Sequence, residues 1–174
     1  MFALIENNVI AMLVPAGTAF EWQGCFYPAN WCNLSTPEEK AAIGMVDVVY
    51  GPQLSDQYYW ISQDAPVYNA ETNQVDINYT ATPKDLFTCQ NNQVNATNQT
   101  AWTLLEPSDW MVIRSVESGG VYPVPQSWNT WRQTIRNQAK DQVTAITACT
   151  TVDQLAALPP VDWAHDPNWV APGA

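Results

Sequence analysis

Along the first eighty residues the apolar positions come in short runs broken by Asn, Gly and Pro, which is the spacing of strands. Phe2–Glu6 and Val9–Leu13 flank Asn7-Asn8, and Asn tolerates the positive φ of a two-residue type I′ turn, so residues 1–14 are expected to form a β-hairpin. Two more short strands are expected over 19–28, turning near Gln23-Gly24. Ser35-Thr36-Pro37-Glu38-Glu39 reads as a helix start. Thr36 suits the N-cap, Pro37 the first helical position and Glu39 the third, and the short helix should stop near Gly44. Strand character returns in 45–82. Val46, Val48 and Tyr50 alternate with Asp47 and Val49, and Val67–Asn69 and Val75–Thr80 flank a loop over 69–74. In the last run Val75, Ile77 and Tyr79 share one face and Asp76, Asn78 and Thr80 the other, as in a half-buried antiparallel sheet.

The spacing changes after Thr82-Pro83. Leu86, Val94, Ala101 and Leu105 lie near helical spacing in a stretch rich in Asn, Gln and Thr. That thin stripe predicts a helix needing partner helices. Ser108 or Asp109 is placed to cap a helix carrying Trp110, Ile113, Arg114 and Glu117, stopped by Gly119-Gly120. Ser127 is expected to cap the longest helix, about 128–149, with the stripe Trp128, Trp131, Ile135, Ala139, Val143, Ile146 and Cys149. A last short helix opens at Thr151 and ends before Pro159-Pro160. The fold class expected is therefore α+β: an antiparallel β-rich module over 1–82 with a short helix near 36–44, a helical bundle over 83–158, and an extended Pro/Trp-rich tail over 159–174. The tail has no core pattern of its own, which suggests a partner to hold it.

Composition narrows the function. The chain has 174 residues, 47% of them hydrophobic, enough for one ordinary domain or two small ones. Only 13% are charged, and the net charge of −11 argues against binding nucleic acid or an anionic membrane through charge. No run approaches the ~20 apolar residues of a membrane span. The N-terminal run lacks a basic region and is broken by Glu6-Asn7-Asn8, so it does not read as a signal peptide, and synthesis in the cytoplasm is expected. Nine Trp and thirteen Pro suit stiff loops and aromatic contact surfaces.

Catalytic sets are missing from the sequence. There is one histidine, His165, between Asp162 and Asp166 in the tail, where no element would hold ligands rigidly. Glu38 and Glu39 are adjacent on a helix and diverge, which does not suit paired-carboxylate hydrolysis. The four cysteines, Cys25, Cys32, Cys89 and Cys149, form no CxxC pair, so neither metal nor cofactor is expected. Cys25 and Cys32 are a candidate disulfide should the protein leave the cell, against ordinary free thiols. Arg132 and Arg136 lie one helical turn apart beside Trp128 and Trp131. These four either anchor an interface, or the Trp pair packs in the core while the arginines meet Asp109 or Glu117. Trp163 and Trp169 are candidate partner contacts in the tail, and Tyr58, Tyr59 and Trp60 candidates for stacking on a glycan, against packing inside the protein.

Two stretches carry a resemblance. Gln23–Trp31, running into Leu34–Lys40, is similar to the start of small tail proteins of tailed bacteriophages. Asp109-Trp110-Met111-Val112-Ile113-Arg114, followed after a turn by Trp131-Arg132-Gln133-Thr134-Ile135-Arg136, a short helix at Thr151–Leu155 and a Pro/Trp-rich end, resembles a module of tail-fibre assembly proteins and fibre- or baseplate-associated proteins. The resemblance implies a non-enzymatic structural part of a phage tail, in the fibre or baseplate region of the virion. Its partners would be other tail subunits, in a homo- or hetero-oligomer. A tail-fibre assembly chaperone and a glycan-binding receptor module are the alternatives.

Overall fold

The structure is a computed structural model that describes residues 1–168. It divides into two compact units, Met1–Thr82 and the chain from Pro83 onward. The α+β class holds, with strands concentrated in the first unit and long helices in the second.

In the first unit β1 (Phe2–Glu6) and β2 (Val9–Val14) form the expected hairpin. Asn7 and Asn8 sit at φ 51° and 63°, the left-handed pair that a type I′ turn demands. The register slips between Leu4 and Ile5, so Ala11 is left over as a bulge. β3 (Phe20–Trp22) and β4 (Cys25–Tyr27) pair antiparallel through Gln23 and Gly24, both at positive φ. Helix α1 (Trp31–Leu34) follows, then α2 (Pro37–Ala42). Thr36 caps α2 in a full capping box: its Oγ1 accepts from Glu39 N at 3.2 Å, and its own N–H donates to the Glu39 carboxylate at 2.8 Å. β5 (Met45–Tyr50), β7 (Val67–Asn69) and β8 (Gln74–Ile77) complete a five-stranded sheet of order β2-β1-β5-β8-β7.

This sheet is mixed, which corrects the wholly antiparallel expectation: β5 pairs with β8 in parallel. The run 75–80 is also not one strand. Ile77 O accepts from Gly51 N in the large sheet, while Asn78 O accepts from Asp64 N in a second, two-stranded sheet of β6 (Tyr59–Gln63) and β9 (Tyr79–Pro83). The chain changes sheets at Asn78.

Alternation along β1 and β5 feeds two cores, one on each face of the sheet. Ala3, Val46, Val48, Val75 and Ile77 pack on one side, and Leu4, Val14, Phe20, Cys32 and Met45 on the other. The second core is closed by aromatic rings. Phe20 stacks on Tyr27 at 4.7 Å, and Trp31 meets both edge-on. Gly44, just past α2, has φ 72°, and a Cβ there would lie 2.7 Å from the Ile5 carbonyl oxygen. Gly44→Ala is expected to destabilise this unit by about 2 kcal/mol or more, from left-handed strain plus a backbone clash. The check is a lower urea midpoint at unchanged slope.

The second unit is built on α3 (Leu86–Leu105) packed against α5 (Gln126–Ala148). Asp85 caps α3, accepting from Thr88 Oγ1 at 2.7 Å and Thr88 N at 2.8 Å, and these bonds hold its carboxyl below its ordinary pKa. The buried positions of α3 are Cys89, Thr97 and Ala101, so its stripe looked thin because one core member is a threonine. That threonine returns its hydroxyl to Gln93 O at 2.9 Å. Gln90 donates to the carbonyls of Ile146 and Cys149, both at 2.9 Å, satisfying the end of α5. A 3₁₀ turn (Glu106–Ser108) leads into α4 (Asp109–Glu117). Helix α5 starts earlier than expected: its N-cap is Pro125, and Ser127 lies inside the first turn with no capping role. Prolines at 123 and 125 fix φ up to the helix start, so the chain enters α5 directly. α6 (Val152–Ala156) is capped by Thr151, which accepts from Gln154 N at 3.2 Å.

Candidate functional site

The geometry of the second unit is organised by Arg132, a buried cation on α5 with only 4% of its surface exposed. Its guanidinium donates to Leu105 O at 2.9 Å, to Ser108 Oγ and to Asp109 Oδ1 at 2.6 Å. Those acceptors are the last residue of α3, the 3₁₀ turn and the first residue of α4. One planar fork therefore joins three elements at the corner from which α4 departs. Arg132 is buried in the core, as is most of Trp131, which packs in a cluster with Ala101, Ile135 and Ala139. Trp128 is half-buried beside it, and Arg136 is exposed one turn further along.

From that corner α4 projects without burying any residue. The 3.6-residue period puts Val112, Ile113 and Val116 on one face, with Trp110 alongside. Trp110 is 54%, Ile113 57% and Val116 75% exposed. Beyond the helix Val121 and Tyr122 are exposed too, and the Arg114 guanidinium lies 4.2 Å above the Tyr122 ring. Sequence reasoning placed the helix and its residues Trp110, Ile113, Arg114 and Glu117 but did not say whether its apolar side is covered. The signal available was the following segment Gly119–Pro125, which supplies no helix to cover that side.

The described part of the tail makes contacts of its own. It is strapped to α5 of the same chain. Gln142 donates to Pro159 O at 3.4 Å. The Gln138 carboxamide bridges two backbone groups, donating to Asp162 O at 2.7 Å and accepting from Ala164 N at 3.1 Å. The Trp131 indole donates to Ala164 O at 2.8 Å. Trp163 and Ala164 thereby pack on the Trp131 cluster. Trp169 lies outside the described residues.

The other candidates separate. Tyr58 and Tyr59 are buried and only Trp60 is exposed, so they offer no three-ring platform for a glycan. Cys25 is exposed on the β4 hairpin, whereas Cys32 is buried with its thiol 4.0 Å from Met45 Sδ, and the two are not bridged. Among the described residues no group of His, Cys, Asp and Glu is arranged to hold a metal ion, so Asp162, His165 and Asp166 form no such cluster. No described helix is long and apolar enough to cross a membrane. Comparison of the chain with protein-family models, with curated proteins and with solved structures returned no match.

Proposed function

We propose that this protein is a structural component of a bacteriophage tail, in the fibre or baseplate region, and that it works by binding other tail subunits and not by catalysis. The observation that carries the reading is α4, a helix that buries none of its residues and leaves Trp110, Ile113 and Val116 exposed. An isolated helix of nine residues is unstable in water, so one that shows Trp110, Ile113 and Val116 to solvent gains stability when a partner covers them. The segment Asp109–Arg114 that builds this face belongs to the phage-tail resemblance, as does Trp131-Arg132, which anchors it. The low density of charge favours the same use, because few ions need to be desolvated when such a surface is buried.

The test is quantitative mass spectrometry of purified infectious particles. A fixed copy number in multiples of three or six is the expected result, following the rotational symmetry of tails. Absence of the chain from particles, with misassembled fibres when its gene is removed, would replace this reading with that of an assembly chaperone.

A further inference from the structure

Next to the strap the helical unit holds an open pocket of about 340 Å³, lined by Thr103, Trp128, Trp131, Trp163, His165 and Asp166 among others. Two of its walls are perpendicular. The Trp128 and Trp131 rings lie 5.4 Å apart at 85°, and Trp163 supplies a third aromatic wall. That third wall is held in advance of any ligand, because the Gln138 bridge and the Trp131 indole fix the backbone on either side of it. Preorganised aromatic walls cost little ordering when something enters.

The polar groups decide what enters. The Trp131 N–H is already given to Ala164 O and the Thr103 hydroxyl to Gln99 O at 2.9 Å. Among the described residues neither lysine nor arginine lines the pocket. A phosphate or carboxylate would meet a single basic side chain, His165, next in sequence to the Asp166 carboxylate, which repels anions. What the pocket chiefly presents is indole surface, whose faces are electronegative, together with the His165 ring and the carboxylate of Asp166. One oxygen of that carboxylate accepts from Asn168 N at 2.8 Å, and among the described residues no hydrogen bond engages the other. The chain as a whole carries −11, which adds long-range attraction for a cation.

We infer that this box binds an organic cation of the quaternary-ammonium class. Quaternary nitrogen spreads its charge over a greasy surface, which matches aromatic walls, and having no N–H it asks for no hydrogen-bond acceptor, only the Asp166 carboxylate as a counter-charge.

The experiment is calorimetric titration of the full chain with choline at constant ionic strength, beside its neutral carbon isostere 3,3-dimethylbutan-1-ol. Saturable choline binding is expected, with the isostere at least tenfold weaker. Asp166→Asn, at an exposed position, should weaken choline about fivefold and leave the isostere unchanged. Trp163→Leu should abolish binding of both, but it also loosens the strap, so the Asp166 variant is the one that isolates the charge. No saturable binding of choline overturns the inference. So does equal affinity for the isostere, which would make the pocket merely apolar, or an Asp166→Asn variant that binds choline as the parent does.

Discussion

Arg132→Ala is expected to destabilise the helical unit by about 3 kcal/mol, whereas Arg136→Ala one turn away should change stability by less than about 0.5 kcal/mol. The contrast follows from surroundings, since the residue type is the same. The Arg132 side chain is 5% exposed and its partner Asp109 46%. Removing the guanidinium takes one donor from the fully buried Ser108 hydroxyl and one from the Leu105 carbonyl, leaves them only the 2.7 Å bond from Ser108 Oγ to Leu105 O, and empties the space the side chain filled. Asp109 can recover water, which keeps the loss at the lower end of what broken buried ion pairs show. Arg132→Lys should recover little, because an ammonium lacks the planar fork that reaches three acceptors at once. Urea unfolding followed by tryptophan fluorescence gives the numbers. Equal midpoints for the Arg132→Ala and Arg136→Ala proteins would show that the corner at Ser108 is not held as described.

The second large effect is on association and should leave the fold alone. Trp110→Ser combined with Val116→Ser is expected to reduce incorporation into particles at least a hundredfold, at near-parental thermal stability. Both side chains are exposed, so their loss opens no cavity. Serine has a helix propensity close to that of Trp and Val, which spares α4 itself. Truncating a tryptophan at the centre of an interface commonly costs about 2–4 kcal/mol, and a second apolar deletion on the adjoining face brings the total to a hundredfold or more. Complementation with the variant gene, followed by mass spectrometry of particles and a circular-dichroism melt of the purified chain, separates the two effects. Full incorporation of the variant would remove α4 from the list of binding surfaces and with it the main support for the proposed function.

These two predictions rest on features of different legibility. Local chemistry was readable: Asn7-Asn8, Gln23-Gly24 and the Thr36/Glu39 box each specify a conformation through their own backbone, and each is found where expected. The stripe on α5 was readable for the same reason, since Trp131, Ile135, Ala139 and Ile146 recur at the helical period. Partner choice was not. Nothing within β5 says that its outer edge meets β8 in parallel, because that pairing is set by which apolar faces finally share a core. The bonds from α5 to the tail were illegible for a related reason. Gln138 and Gln142 lie on what reads as a solvated face of α5, and an amide that binds backbone looks the same in sequence as one that binds water. Arg132 stood open between interface and core, and only its three acceptors resolve it. The disposition of α4 was illegible in the opposite sense, since apolar residues at helical spacing normally face inward.

The parallel pairing of β5 with β8 also sets an order of events during synthesis. The β1–β2 hairpin and the β1–β5 pair need only the first fifty residues, but Val48 waits for Val75 and Tyr50 for Ile77. Until that segment leaves the ribosome, an edge carrying Val46, Val48 and Val49 stays open. Non-local strand pairing is slow compared with the closing of neighbouring helices such as α3 and α5. The N-terminal unit is therefore made first but completed late. Its temporary β5 edge is the stretch most exposed to mispairing when many copies are translated side by side.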